Sequence, residues 1–378
     1  MRWLSPVEYL VGVTNLLLKR MPVTVAVATV LSLVVGACGS DDNTASTAKD
    51  AKIDCATGSI AGAGSTFVQN IAQQWVKDYT ASCPGATINY QGVGSGAGIQ
   101  QFTAGTVDFA GSDVALTATE RSAAEAKYGN VLQIPWSAGA VAIEYRLDGV
   151  TELQLSPAAL AGIFAGTITK WDDAAIKADN ASTTLPATPI QVIHRSDGSG
   201  TTAAFTAYLS SAEPTVWTAG TGKDVKWPTG QGAKGSDGVT KAVKATNGAI
   251  AYAELSFAKG NSLSAVKIKN PAGKFVGPDE ATGVTEALNE AEVAANLEAK
   301  INYAPKGANA YPISTVTYVI TAGVPSDPTK ANLIKSFVTY ALGDGQSAAT
   351  RLFYAGLSDA VLAPAKAATA GIGTPAGE

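Results

Sequence analysis

The chain has 378 residues, of which 46% are hydrophobic and 15% are charged, proportions typical of a globular protein with one or two domains. Its formal net charge is −4, whereas proteins that hold nucleic acid by neutralising phosphates are usually basic. The charge balance therefore argues against a nucleic-acid partner. An anion would have to be bound by local dipoles and a well-placed arginine.

The N-terminal segment has the pattern of a targeting sequence. Lys19-Arg20 precedes the apolar run Pro22–Val35, which is too short to span a membrane as a helix. Val35-Gly36-Ala37-Cys38 resembles the recognition box of lipoprotein signal peptidase. We therefore expect residues 1–37 to be removed as a signal peptide and the cysteine to carry lipid. An uncleaved anchor, a plain secretion signal and a translation start at Met21 stay open.

A tether and a cysteine pair follow the targeting segment. Residues 38–54 consist mainly of small and polar residues without periodicity, which predicts a flexible tether. Because Cys38 would carry the lipid, Cys55 and Cys83 remain as a pair in an oxidising compartment. We predict a disulfide between them, with two buried free thiols as the alternative.

The body of the chain alternates strand-like and helix-like segments, the pattern of an α/β protein. The first half predicts a helix from Ser65 or Thr66 to about Tyr79, a strand at Thr87–Tyr90, a helix from Gly92–Gly98 through Phe102, a strand at Val107–Ala110 ending in Gly111-Ser112-Asp113, a helix capped by Thr117 and Glu120, and strands at Val131–Ile134 and Ala140–Tyr145 around a hinge at Pro135–Gly139.

The second half continues the alternation. It predicts a helix from Ser156-Pro157 to Gly166, a strand at Ile190–Ile193, a helix at Thr201–Leu209, strands at Ala249–Tyr252 and Ile313–Ile320, a helix from Asp327-Pro328 to Gly343, and a disordered tail rich in Ala, Gly and Pro at residues 363–378. Trp136, Trp171, Trp217 and Trp227 are expected in the core or between lobes.

The run His194–Thr202 combines several features that favour an anion. It follows an apolar strand and leads into a helix, whose unpaired N–H groups and positive dipole end attract negative charge. Its glycines allow a close approach of the main chain, and Arg195 offers a planar fork that matches an oxyanion. The segments Gly64–Phe67 and Gly94–Gly96 open helices in a similar way. One such segment is ordinary helix capping, but three point to a shared anion site beyond the strand ends.

These motifs resemble the PstS family, the phosphate-binding lipoproteins of the high-affinity phosphate ABC importer. The matching stretches are Gly62–Phe67, Tyr90–Gly96, Val107–Asp113, Gly162–Gly166, Lys170–Asp173, Arg195–Thr201 and Tyr311–Ile313, within a resemblance that covers Ser59 to Leu362. The resemblance implies an α/β, bilobed periplasmic-binding-protein fold of type II, with two lobes joined by hinge strands. We expect lobe one at 55–137 and 309–362, and lobe two at 138–308.

The resemblance also implies a set of phosphate-binding residues. Carried onto matching positions they are Thr66, Phe67, Ser95, Asp113, Arg195, Ser199, Gly200 and Thr201. Asp113 would accept a hydrogen bond from the ligand, and Asp197 would hold Arg195. The chain departs from the family pattern at Ser65, where a small apolar residue is common, and at Gly96, where some members have serine.

The expected role of Asp113 also has a chemical basis. Phosphate at neutral pH retains a proton that a buried carboxylate can accept, whereas sulfate has none and would leave that carboxylate unpaired and repelled. We therefore expect an extracytoplasmic, lipid-anchored, monomeric receptor that passes phosphate to the membrane subunits of an ABC permease. It would need neither enzymatic activity nor a cofactor.

Rival interpretations have weaker support. Gly92-x-Gly94-x-x-Ala97 superficially fits a dinucleotide fingerprint, but a secretion signal makes a nucleotide cofactor a poor fit. A phosphatase that uses Ser199 or Thr201 would lack a general base, because the single histidine, His194, lies too close in sequence to form a triad and is expected to pack as a strand residue. Metal binding is also weakly supported, because the chain has a single histidine and no cluster of carboxylates at the spacing of metal ligands. Receptors for sulfate or molybdate are the nearest alternatives, and Asp113 argues against both.

Overall fold

A computed structural model describes residues 53–279 and 282–374. The predicted signal peptide, Cys38 and nearly all of the predicted tether lie outside the described residues. The helices are α1 (Gln69–Ser82), α2 (Ser95–Ala104), α3 (Ala118–Tyr128), α4 (Pro157–Phe164), α5 (Ala174–Asp179), α6 (Gly200–Ala212), α7 (Gly235–Ala245), α8 (Leu255–Gly260), α9 (Gly283–Leu288), α10 (Pro328–Leu342), α11 (Ser347–Arg351) and α12 (Asp359–Ala370), with a 3₁₀ turn at Asp344–Gln346.

The strands form one large mixed sheet and two small ones. They are β1 (Gly58–Gly64), β2 (Ala86–Gly92), β3 (Phe109–Ser112), β4 (Val131–Arg146), β5 (Gln154–Leu155), β6 (Gln191–Arg195), β7 (Gln231–Ala233), β8 (Ala249–Glu254), β9 (Ser264–Ala265), β10 (Lys267–Lys269), β11 (Phe275–Val276), β12 (Glu292–Val293), β13 (Ala299–Lys300) and β14 (Ser314–Ala322). The large sheet has the order β2-β1-β3-β14-β4-β8-β6-β7, with β9 paired to β4; the small sheets are β11-β10-β5 and β12-β13.

The strand directions place the ends of several strands together. β1 runs parallel to both β2 and β3, and β6 runs parallel to both β7 and β8. The carboxyl ends of parallel strands meet at one edge of a sheet. The segments that follow β1, β2 and β3 therefore emerge side by side, and so do those that follow β6 and β7.

The long strand β4 belongs to both parts of the sheet. Its residues from Val131 to Ala140 pair with β14, and its residues from Val141 to Arg146 pair with β8. The sequence predicted two strands around an interruption at Pro135–Gly139, and this prediction is wrong. A register shift opposite Pro135 accommodates the proline, which cannot donate to a strand ladder.

The predicted first helix is present, but it begins later than predicted, at Gln69. Ile71, Trp75 and Tyr79 are buried on α1. Ahead of it, the Ser65 hydroxyl accepts hydrogen bonds from the backbone N–H groups of Phe67, at 3.0 Å, and of Val68. This local turn competes with helix formation and leaves the preceding residues in a loop.

The tail predicted to be disordered from residue 363 is helical over much of its described length. α12 extends to Ala370, and it buries Val361, Ala365 and Thr369. Lys335 also donates to the carbonyl of Ala370 at 2.6 Å. Alanine has the highest intrinsic helix propensity, so a composition that suggested a simple tail is also suited to a packed helix.

The predicted disulfide is confirmed. Cys55 is bonded to Cys83, with 5.4 Å between their Cα atoms. The bond fastens the segment ahead of β1 to the residue that ends α1, so it closes a loop around the first strand and helix of the body.

Replacing both cysteines, Cys55→Ala with Cys83→Ala, should lower the free energy of unfolding by about 3–4 kcal/mol at 25 °C, because the bond closes a 28-residue separation in the unfolded chain. Urea unfolding of the wild type and the double variant, both without reductant, measures this difference. Wild-type protein treated with reductant is the control and should approach the double variant. A fall in the free energy of unfolding of less than about 1 kcal/mol would contradict the idea that the disulfide stabilises the protein by restricting the unfolded chain.

Candidate functional site

Three loops at the carboxyl ends of β1, β2 and β3 meet the loop that follows β6. The Ser95 hydroxyl, at the start of α2, accepts hydrogen bonds from the backbone N–H of Gly200 at 3.1 Å and of Asp113 at 3.4 Å. The backbone N–H of Gly96 donates to the carbonyl of Gly198 at 2.9 Å. The structure therefore brings together the segments in which the sequence predicted an anion site.

Asp113 lies at the centre of this arrangement. The residue is 1% exposed. Its carboxylate accepts hydrogen bonds from the hydroxyl of Ser65 and, at 3.2 Å, from that of Thr201. Its backbone carbonyl accepts one from Thr315 at 3.0 Å. Hydroxyl donors from distant parts of the chain thus converge on one buried carboxylate.

Burial has a large electrostatic effect on Asp113. Loss of solvation raises its pKa from 3.8 to about 6, although Ser65, the charge of Arg195, Thr201 and Ser95 all act to lower it. The effect of the guanidinium on this carboxylate means that the two groups predicted to bind a common ion lie near each other. A carboxylate with a pKa of about 6 is ionised in most molecules at neutral pH and can accept a further hydrogen bond.

Asp197 holds Arg195, as the sequence predicted. The Arg195 Nε donates to Oδ1 of Asp197 at 2.7 Å, and Nη2 pairs with Oδ2. Asp197 also accepts from the backbone N–H of Gly235 at 3.0 Å. Partial burial raises the pKa of Asp197, but the hydrogen bonds and charge of Arg195 outweigh this and leave the pKa below its usual value. The pairing uses two of the guanidinium's five N–H donors and fixes the direction of the others.

The predicted ligands Thr66 and Phe67 lie in the loop between β1 and α1. Thr66 Oγ1 is 2.9 Å from the hydroxyl of Ser236, and it accepts from the Ser236 backbone N–H at 3.1 Å. Sequence reasoning missed Ser236. The signal was present, because Gly235-Ser236 opens α7 with the small-then-hydroxyl pattern that marked the three other segments.

Ser65 has a direct part in the site. The sequence analysis treated it as a possible helix start and as a departure from the family pattern, and did not place it among the phosphate-binding residues. In the structure it is 1% exposed, and its hydroxyl donates to Asp113 while accepting from Phe67. A small apolar residue at this position could not supply that donor.

The groups considered for hydrolysis have other roles. The Ser199 hydroxyl caps α6 by accepting from the backbone N–H of Thr202 at 3.1 Å. His194 stacks on Trp227, with 4.9 Å between ring centroids, as expected of a packed strand residue. A cavity of about 1010 Å³ lies elsewhere, between residues 53–57 and α10, whereas a cavity of about 180 Å³ borders Asp113.

Neither a metal-binding cluster nor a membrane-spanning helix occurs within residues 53–279 and 282–374. No group of three or more histidine, cysteine, aspartate or glutamate side chains is arranged there to hold a metal ion. Over the same ranges, no helix combines the length and the apolar character needed to cross a membrane.

Comparison with known proteins assigns the chain to a class. Residues 48–344 match the model of the PBP superfamily domain. A high-affinity periplasmic phosphate-binding protein (PfluDING), solved with phosphate bound, aligns with a TM-score of 0.68 and 27% identity over 84% of this chain and 100% of the other. The phosphate-binding protein from Stenotrophomonas maltophilia has the same fold, with a TM-score of 0.66 and 21% identity over 82% of this chain and 94% of the other. The chain thus has the bilobed α/β fold of periplasmic binding proteins.

Sequence relatives narrow the assignment. Phosphate-binding protein PstS 3 of Mycobacterium tuberculosis is 37% identical over 342 residues, which cover 87% of this chain and 92% of the relative. Phosphate-binding protein PstS of Xylella fastidiosa is 37% identical over 302 residues, covering 78% and 80%. The chain belongs to the PstS family.

The raised pKa of Asp113 predicts a pH dependence of stability. Because the folded protein binds this proton more tightly than the unfolded chain, the stabilisation is complete below about pH 4 and is lost as pH rises through about 6. Asparagine cannot ionise, so Asp113→Asn should gain stability relative to wild type over this interval, by up to about 3 kcal/mol.

Urea unfolding of both ligand-free proteins from pH 4 to 8 measures that difference. Glu144 and Glu254 also have pKa values raised to about 8 by burial, but they are present in both proteins and cancel in the comparison. A difference that stays constant with pH would contradict the assignment.

Proposed function

We propose that this chain is an extracytoplasmic receptor that captures inorganic phosphate between two lobes and delivers it to an ABC permease. The PstS relatives are named for phosphate binding, and a neighbour in the PBP fold was solved with phosphate bound. The observation that carries the proposal is the buried carboxylate of Asp113, which is surrounded by hydroxyl donors and lies near the guanidinium of Arg195.

The donors of the site suit a tetrahedral oxyanion. Thr66, Ser95 and Thr201 supply hydroxyl groups. The backbone N–H groups of Phe67 and Gly200 lie near the starts of α1 and α6, where they donate to the hydroxyls of Ser65 and Ser95, and that of Ser199 donates to the carbonyl of Lys223 at 2.8 Å. A bound anion would compete for these donors. Helix N-termini favour negative charge. Arg195 adds a full positive charge that is aligned by Asp197. A net negative protein can therefore bind a dianion through a local field.

Asp113 provides selectivity. A phosphate that retains a proton donates a hydrogen bond to the carboxylate, so every group of the site is paired. Sulfate presents only acceptor oxygens and would place lone pairs against a buried negative charge. Leaving such a group unpaired and repelled can reject an analogue by about 10⁴–10⁵.

The proposed lobes follow the pairing of the large sheet. We assign lobe one to residues 55–137 and 309–362, and lobe two to residues 138–308. The change of partner along β4, from β14 up to Ala140 to β8 from Val141, supports a crossing near this point. A rotation there would separate Ser95 from Gly200 and Asp113 from Thr201. Phosphate would enter the open form and be enclosed when the lobes close.

The proposed location rests on the N-terminal sequence. Removal of residues 1–37 would leave Cys38 to carry lipid, and a tether over residues 38–54 would let a monomeric receptor reach the membrane subunits of its permease. The disulfide between Cys55 and Cys83 suits an oxidising compartment.

Titration calorimetry on protein stripped of bound anion tests the function. We expect one phosphate site per chain and sulfate affinity lower by about 10⁴ or more. Asp113→Asn should reduce the ratio of phosphate affinity to sulfate affinity by at least about ten- to hundredfold, since it removes a hydrogen bond that involves a charged group. Arg195→Ala should abolish tight binding. Equal affinities in the wild type, or no phosphate binding, would disprove the proposal.

Lipid attachment is tested separately. Full-length protein expressed in bacteria that are fed labelled palmitate should incorporate the label and partition with membranes, and Cys38→Ser should lose both properties. Phosphate affinity of the released Cys38→Ser protein should stay unchanged, because none of the predicted phosphate-binding residues belongs to the tether. Undiminished labelling of Cys38→Ser would place the lipid elsewhere.

A further inference from the structure

The first turn of α7 contacts two parts of the site at once. The φ angle of Gly235 is +70°, in the left-handed region that favours glycine. The turn directs two successive backbone N–H groups to different targets, with Gly235 donating to Asp197 at 3.0 Å and Ser236 donating to Thr66 Oγ1 at 3.1 Å. This short segment therefore links the partner of Arg195 to the hydroxyl of Thr66.

The contacts of Ser236 set the direction of the Thr66 hydrogen bond. A hydroxyl group has one hydrogen and two acceptor positions. The Ser236 backbone N–H can only donate, so it occupies one acceptor position of Thr66. The Ser236 hydroxyl, 2.9 Å away, can donate into the other. When the Ser236 hydroxyl donates in this way, both acceptor positions of Thr66 are filled, and the Thr66 hydrogen is directed to a third group, such as a phosphate oxygen.

The position of α7 is itself secured. Thr240, one turn further along α7, lies with Oγ1 2.9 and 3.1 Å from the two carboxyl oxygens of Glu144. Glu144 is buried on β4, in the part of this strand that pairs with β8. Ser236 is also fully buried. The first turn of α7 is therefore fixed to the strand that crosses between the proposed lobes.

We propose that Ser236 is a positioning residue for phosphate recognition, which holds the Thr66 hydroxyl as a hydrogen-bond donor toward the ligand. The inference rests on the proposed function. Thr66 belongs to the proposed lobe one and Ser236 to lobe two, so the contact forms when the lobes close. Closure then completes the site by orienting a donor as well as by enclosing the ligand. Loss of the contact between Ser236 and Thr66 should therefore mainly raise the rate at which phosphate dissociates.

A double-mutant cycle tests this role. Phosphate affinity and dissociation rate are measured by calorimetry and stopped-flow fluorescence for wild type, Ser236→Ala, Thr66→Val and the double variant. Ser236→Ala should weaken binding by between about two- and twelvefold, the range for one hydrogen bond, with most of the change in the dissociation rate. In the Thr66→Val background the same change should have less than about a twofold effect.

Two matched variants separate positioning from general damage. Thr66→Ser keeps a hydroxyl, so it should retain the sensitivity to Ser236→Ala and preserve the test if valine disturbs folding. Asp237→Ala alters the neighbouring exposed residue of the same helical turn and should leave affinity within about twofold, as expected for a surface substitution. Thermal unfolding checks that each variant is folded.

The outcomes distinguish this inference from the proposed function. Equal effects of Ser236→Ala with and without the Thr66 hydroxyl would overturn the positioning role, even though the wild type binds phosphate. An effect of Asp237→Ala as large as that of Ser236→Ala would overturn it too, by indicating a loosened helix. Absence of phosphate binding in the wild type would instead overturn the proposed function, and the inference with it.

Discussion

The site depends on burying the carboxylate of Asp113 among donors that come from distant parts of the chain. Burial of a carboxylate is costly, and here it raises the pKa to about 6. Ser65 precedes the first helix, Thr201 lies in α6, and Arg195 ends β6. The fold must bring all three close to the same carboxylate, so the loops that carry them have little freedom in the folded protein.

Strand topology makes this convergence possible. Parallel pairing of β1 with β2 and β3 sends three loops out from one edge, and parallel pairing of β6 with β7 and β8 sends out the loops that lead to α6 and α7. β4 connects the two groups as one continuous strand. Polar groups that belong to separate strand ends therefore meet at the candidate site.

Local features were predictable where residues close in sequence decide the outcome. The capping box of Thr117 and Glu120 and the serine cap at Ser156 appear as expected, and so does the pairing of Asp197 with Arg195 that the family resemblance implied. Longer-range features were not. Pro135 suggested an interruption that the sheet accommodates by a register shift, and an alanine-rich tail suggested disorder where α12 packs on the body.

The sequence by itself determined local caps such as those at Thr117 and Ser156 and the polar character of the candidate site, because those follow from hydroxyl, glycine and arginine residues within short segments. Only the tertiary structure decided that Ser65 faces Asp113 and that Ser236 faces Thr66. These partners are 48 and 170 positions apart. Which donors meet across such separations depends on strand order and on the packing of distant loops, and no local propensity encodes either.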